Sequence, residues 1–220
     1  MSKTITLSNH KGGVGKTTSV INIGAGLVSL GKKVLLVDLD PQANLSQSLG
    51  YRDQELTIYG ALKGEQEVKP IEVLPGLELV PSTLDLAGAE IELSAEAGRE
   101  FILKELLEPL RSSYDYIIID SPPSLGLLTI NAFTASNEVL IPLQSQYLAL
   151  QGLTVLQGVI EKIQKRLNKG LKLGGVFITQ YDKRKVLHRE VLQTIQGHLK
   201  GLLLKTIIRD NIALAEAPAV

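Results

Sequence analysis

The chain has 220 residues, enough for one sizeable α/β domain with a buried core, and its 44% apolar and 21% charged content excludes a disordered polyampholyte. The formal net charge is zero, so any nucleic-acid contact must come from a local patch and not from global charge. Cysteine is absent, which removes disulfides, thiolate metal centres and cysteine nucleophiles; with no signal peptide and no bilayer-length apolar run to be read, a cytoplasmic protein is expected.

Apolar runs alternate with helically spaced segments from end to end. This predicts repeated βαβ units: a single-domain α/β fold with a mostly parallel sheet and helices on both faces. Residues 4–8 read as a short strand. Residues 16–30 have helical spacing and stop at Gly31, a C′ glycine. Residues 34–38 form a continuous apolar run ending in acid, as in a strand buried on both faces, and Pro41 forbids its simple continuation. Residues 44–75 are mixed, with short helices of no clear register. Residues 77–81 predict a strand. Residues 99–110 predict an amphipathic helix carrying Phe101, Ile102, Leu106 and Leu110. Residues 116–120 are a second acid-ended strand, broken by Pro122-Pro123. Strands at 139–143, 176–179 and 203–208, with helices at 152–167 and 187–199, complete the pattern.

Between the first strand and the first helix runs Asn9-His10-Lys11-Gly12-Gly13-Val14-Gly15-Lys16-Thr17-Thr18. This is the strand–loop–helix setting of a phosphate loop, which makes the single domain a P-loop NTPase. Glycines let backbone N–H groups turn inward around phosphate oxygens, and the helix N-terminus adds unpaired donors. Lys16 suits the β and γ phosphates, and the Thr17 hydroxyl suits Mg²⁺. The general pattern wants glycine where His10 stands, and Lys11 supplies a second lysine five residues before Lys16.

Lys11-Gly12-Gly13-Val14-Gly15-Lys16-Thr17-Thr18 resembles the deviant Walker A motif of the ParA/MinD ATPases. The resemblance implies an ATP-sandwich homodimer in which Lys11 crosses the interface to touch the partner's nucleotide, with Gly12 at the contact. It also implies ATP contacts from residues 11–18 and from Asn211.

Asp38 and Asp40 close the second strand, at the edge where open α/β sheets bind ligands. Period-two alternation predicts that they share a face, and either could simply cap the following turn. Asp-Leu-Asp-Pro-Gln resembles the family's switch segment, where the residue matching Asp40 positions the attacking water. Ile117-Ile118-Ile119-Asp120 has the Walker B arrangement, whose carboxylate serves Mg²⁺ directly or through water. The predicted magnesium set is therefore Thr17, Asp40 and Asp120, and the predicted catalytic set is Lys16, Asp40 and Lys11.

Residues 120–129, 86–90, 131–132, 141–142, 181–184 and 214–218 also resemble chromosomal-type, Soj-like ParA proteins, so the likeness is nearly chain-wide. It implies non-specific binding of double-stranded DNA by the ATP-bound dimer, nucleoid association, and slow hydrolysis that a ParB-like partner stimulates. The matching arginine is Arg184. Lys183, Lys185, His188 and Arg189 surround it in sequence, with Lys200, Lys205 and Arg209 later; such cations neutralise phosphates without reading bases. The family often has proline and arginines near Asn211, where this chain has Arg209, Asp210 and Ala213. The chain stops at Val220, so the family's terminal helix is not expected, and no membrane-binding amphipathic tail of the MinD kind follows Leu214. Positioning of another cargo, a MinD-like membrane switch and an ATP-dependent biosynthetic ligase remain as alternatives.

Overall fold

The computed structural model describes residues 2–146, 149–199, 201–211, 213 and 214. The chain runs β1 (Lys3–Leu7), α1 (Lys16–Ser29), β2 (Val34–Asp38), α2 (Asn44–Ser48), α3 (Ile58–Leu62), β3 (Ile71–Leu74), β4 (Leu77–Val80), α4 (Ala89–Glu92), α5 (Ile102–Leu107), β5 (Tyr116–Asp120), α6 (Leu127–Ala135), β6 (Glu138–Gln144), α7 (Ala149–Arg166), β7 (Lys172–Tyr181), α8 (Val186–His198) and β8 (Leu203–Arg209). The strands form one sheet in the order β3-β4-β2-β5-β1-β6-β7-β8. Every pairing is parallel except β3 with β4. No helix among the described residues is long and apolar enough to cross a membrane.

Successive side chains of a strand point to opposite faces, so the central strands serve two cores. Leu35, Val37, Ile117 and Ile119 enter one, together with Leu103 of α5, Phe133 of α6, Leu156 of α7 and Ile195 of α8. Val34, Leu36 and Ile118 enter the other, with Val20 of α1 and Leu45 of α2. All five residues of β2 are buried, which is why this strand reads as an unbroken apolar run. Helix α1 lies close on the sheet at Gly24, where a Cβ would stand 2.9 Å from Leu36 Cδ2 and 3.3 Å from Leu77 Cδ1.

Several expectations are adjusted. Helix α1 ends before Leu30, and Gly31 takes the positive φ of 78° that a C′ glycine supplies. The helix expected over 99–110 is α-helical only from Ile102 to Leu107. A 3-10 segment, Glu108–Ser112, follows, because Pro109 cannot donate the next helical bond. Strand β3 and helix α6 had no counterpart in the periodicity. Helix α6 is buried nearly all round, so no polar face marks a helical period.

Candidate functional site

Strands β1, β2 and β5 end side by side. The register pairs both Leu7 and Asp38 with Asp120. The phosphate loop leaves β1 here, where the chain passes to opposite sides of the sheet, the place where such sheets form ligand crevices. Gly13 and Gly15 adopt φ of 71° and 86°, a conformation other residues rarely take. Helix α1 starts at Lys16 and aims its free N–H groups at the crevice.

The loop is gripped from the neighbouring strands. Asn9 Nδ2 donates to Pro142 O at 2.7 Å, and Lys11 N donates to Asn9 Oδ1 at 3.0 Å. Thr179 Oγ1 donates to Val14 O at 2.8 Å. Gln180 Nε2 and Gln144 Nε2 donate to Gly13 O at 2.9 and 3.0 Å. Sequence patterns do not single out these braces; Gln180 is in addition left-handed, with φ of 51°.

Below the loop, Thr17 Oγ1 donates to Asp120 Oδ2 at 2.6 Å. Asp120 is wholly buried, and its Oδ1 has no hydrogen-bond partner. Burial pushes its carboxyl up to about 8, helped by the charge of Asp38, while the Thr17 bond and Lys16 act in the opposite direction. Lys16 is buried too, and burial lowers its pKa against the pull of Asp120 and Asp40. No group of three His, Cys, Asp or Glu side chains among the described residues is placed to hold a metal. A site with one or two carboxylates, a hydroxyl and substrate oxygens is the arrangement Mg²⁺ ordinarily takes, and the unpaired Asp120 oxygen beside Thr17 fits it.

A cavity of about 530 Å³ opens above these groups, lined by Gly12, Gly13, Gly15, Lys16, Thr17, Thr18 and Asp40 among others. A second, of about 360 Å³, shares Gly15 and Thr18 with it and reaches Asn211 and Arg209. Thus Lys16, Thr17, Thr18 and Asp40 line the first cavity, with Asp120 beneath, and Asn211 lines the second. Asp38 and Asp40 part ways: Asp38 is bonded to Ser46, while Asp40 faces the cavity. The reason is that β2 ends at Asp38 and the chain then turns, so strand alternation does not extend to Asp40. Val14 is buried and, like Lys11, lines a separate cavity. Lys11 Nζ donates to Gln144 Oε1 at 3.3 Å and to Gln146.

The expected basic cluster sits between β7 and α8. Lys183, Arg184, Lys185 and Arg189 are exposed. Arg184 is not a free cation, however. Its Nε and Nη2 donate to Asp182 at 3.0 and 2.9 Å, which holds that carboxyl well below the usual range. His188 is turned inward, its Nδ1 accepting from Asp182 N at 3.1 Å. Arg209 pairs in register with Tyr181, so it adjoins the cluster while also lining the second cavity. Lys205 is exposed on β8; Lys200 and residues 215–220 lie outside the described residues.

The family model described as an AAA domain (AAA_31) matches residues 2–173. A chromosome-partitioning ATPase Soj of Treponema pallidum is 46% identical over 222 residues, covering 100% of this chain and 87% of the relative. The sporulation initiation inhibitor protein Soj of Bacillus subtilis is likewise 46% identical, covering 100% of this chain and 88% of its own length. Among solved structures, a cobyrinic acid a,c-diamide synthase from Mycobacterium smegmatis with bound ATP analogue and magnesium superposes with a TM-score of 0.91 at 38% identity, covering 100% of this chain and 92% of that one. A plasmid partition protein from Borrelia burgdorferi bound to AMPPNP gives 0.87 at 30% identity, covering 100% and 89%. With a phosphate loop, two acid-ended strands and full-length likeness of this kind, the chain belongs to the ParA/Soj family of partition ATPases.

Proposed function

We propose that this chain binds Mg-ATP in the crevice above β1, β2 and β5, dimerises around it, and in that state binds double-stranded DNA without sequence preference. The observation that carries the nucleotide reading is the convergence of Lys16, Thr17 and Asp40 on one cavity, with the unpaired Asp120 oxygen beneath. The loop amides and Lys16 would hold the phosphates. Asp40 would orient the attacking water, since phosphoryl transfer depends mainly on position and charge. Thr17 and Asp120, with Asp40 nearby, would hold Mg²⁺, which supplies neutralisation of the phosphate oxygens when bound. Lys11 lies outside its own nucleotide cavity, which supports a role across a dimer. Slow basal turnover, stimulation by a ParB-like partner and nucleoid association complete the reading.

The test is ATP-dependent retention on non-specific DNA, together with turnover. Mg-ATP should give salt-sensitive retention and Arg184→Glu should abolish it. Lys11→Ala should weaken dimerisation more than ATP binding by the monomer. Absence of retention at low salt, with Arg184→Glu indistinguishable from the parent, overturns the DNA reading. A second reading follows from the name of the Mycobacterium smegmatis neighbour: an ATP-dependent synthase. It requires turnover that depends on a small-molecule acceptor and ignores DNA.

A further inference from the structure

Asp38 closes β2, is fully buried and lines neither part of the nucleotide crevice. Its Oδ2 accepts from Ser46 N at 2.8 Å and from Ser46 Oγ at 2.6 Å, and its Oδ1 accepts from Asp40 N at 3.3 Å. Ser46 Oγ in turn accepts from Ser82 N at 2.9 Å. Ser82 Oγ donates to Asp40 O at 3.2 Å, with Thr83 O more distant at 3.4 Å. The chain of bonds thus leaves Asp38, crosses α2 and the end of β4, and returns to Asp40. Ser46 and Ser82 are buried as well.

The turn enclosed by these bonds is strained. Ala43 is left-handed, with φ of 50°, and is buried. A residue with a Cβ rarely adopts that region, and such a turn persists only where its surroundings over-determine it. Ala43 N donates to Asp40 O at 2.8 Å, and Gln42 N donates to Asp40 Oδ1 at 2.9 Å. Both the carbonyl and the carboxylate of Asp40 are therefore fixed by this turn.

We infer that Asp38, Ser46 and Ser82 are positioning residues, a buried relay that holds the Asp40 carboxylate at the rim of the phosphate cavity for hydrolysis. The inference rests on the ATPase reading above. None of the three lines the crevice, so their loss acts on turnover and not on nucleotide affinity.

The experiment measures kcat and KM for ATP, equilibrium ATP binding and melting temperature for Ser82→Ala, Ser46→Ala and Ser82→Thr, beside the parent and Asp40→Ala. Ser82→Ala should lower kcat on the order of tenfold, with KM and ATP affinity within about twofold of the parent. Ser46→Ala should lower kcat further, and Ser82→Thr, which keeps a hydroxyl, should restore it. Should Ser46→Ala fail to fold, Ser82→Ala decides alone, because its backbone N–H still reaches Ser46. A parent-like kcat in Ser82→Ala, no restoration by Ser82→Thr, or an equal loss of ATP affinity overturns the relay. If the parent turns over, Asp40→Ala does not, and Ser82→Ala is unaffected, the relay alone fails. No turnover by the parent removes the ATPase reading and the relay with it.

Discussion

Replacing Asp120 by asparagine should stabilise the metal-free protein, by an amount that grows with pH. The carboxyl's ordinary value is 3.8 and burial raises it to about 8 in the fold. Between those values the unfolded chain releases a proton that the folded chain keeps. Stability therefore falls as pH rises from about 4 to about 8, and levels off above. Each unit is about 1.4 kcal/mol, so the penalty at pH 7 is about 4 kcal/mol. Asparagine carries no such penalty, and its side-chain oxygen can still accept from Thr17. Asp38, pushed up to about 6 mainly by burial, is common to both proteins and largely cancels. In EDTA, Asp120→Asn should melt with the parent near pH 4 and about 10 °C above it near pH 8. Mg-ATP should then stabilise the parent more than the variant. A melting-temperature gap that does not change with pH, or that shrinks as pH rises, refutes the reasoning.

Gly24→Val should destabilise the fold by about 2 kcal/mol, since its branches must displace Leu36 and Leu77; denaturant unfolding checks this. Asp182→Asn should shift Mg-ATP-dependent DNA retention to higher salt, because the guanidinium of Arg184 would lose its neutralising partner; retention at unchanged or lower salt counts against Arg184 as a phosphate contact.

The phosphate loop, the two acid-ended strands and the parallel sheet were legible because each has a local signature: glycines before a helix, or an apolar run closed by aspartate. Helix α6 was not, because a segment buried on nearly every side has no polar phase to reveal its period. The separate fates of Asp38 and Asp40 were not either. They depend on a left-handed Ala43 and on Ser46 and Ser82, which are brought together only by the pairing of β2 with β4. Arg184 and Asp182 stand only two residues apart, yet composition counts both charges and says nothing of their geometry. The braces from Gln144, Thr179 and Gln180 come from more than 130 residues downstream, beyond any local pattern.

Strand β7 ends with Thr179 and Gln180 gripping the phosphate loop, and the chain then enters the basic turn at Asp182 and Arg184. If the proposed nucleotide and DNA surfaces are coupled through this short connection, the coupling must be reciprocal. Whatever factor bound nucleotide adds to the affinity for a polyanion, the polyanion adds to the affinity for nucleotide. A tenfold effect in one direction, about 1.4 kcal/mol, fixes a tenfold effect in the other. On the proposed reading, DNA would then act as an effector of this protein as well as a surface for it, raising the affinity for ATP wherever the chain is seated.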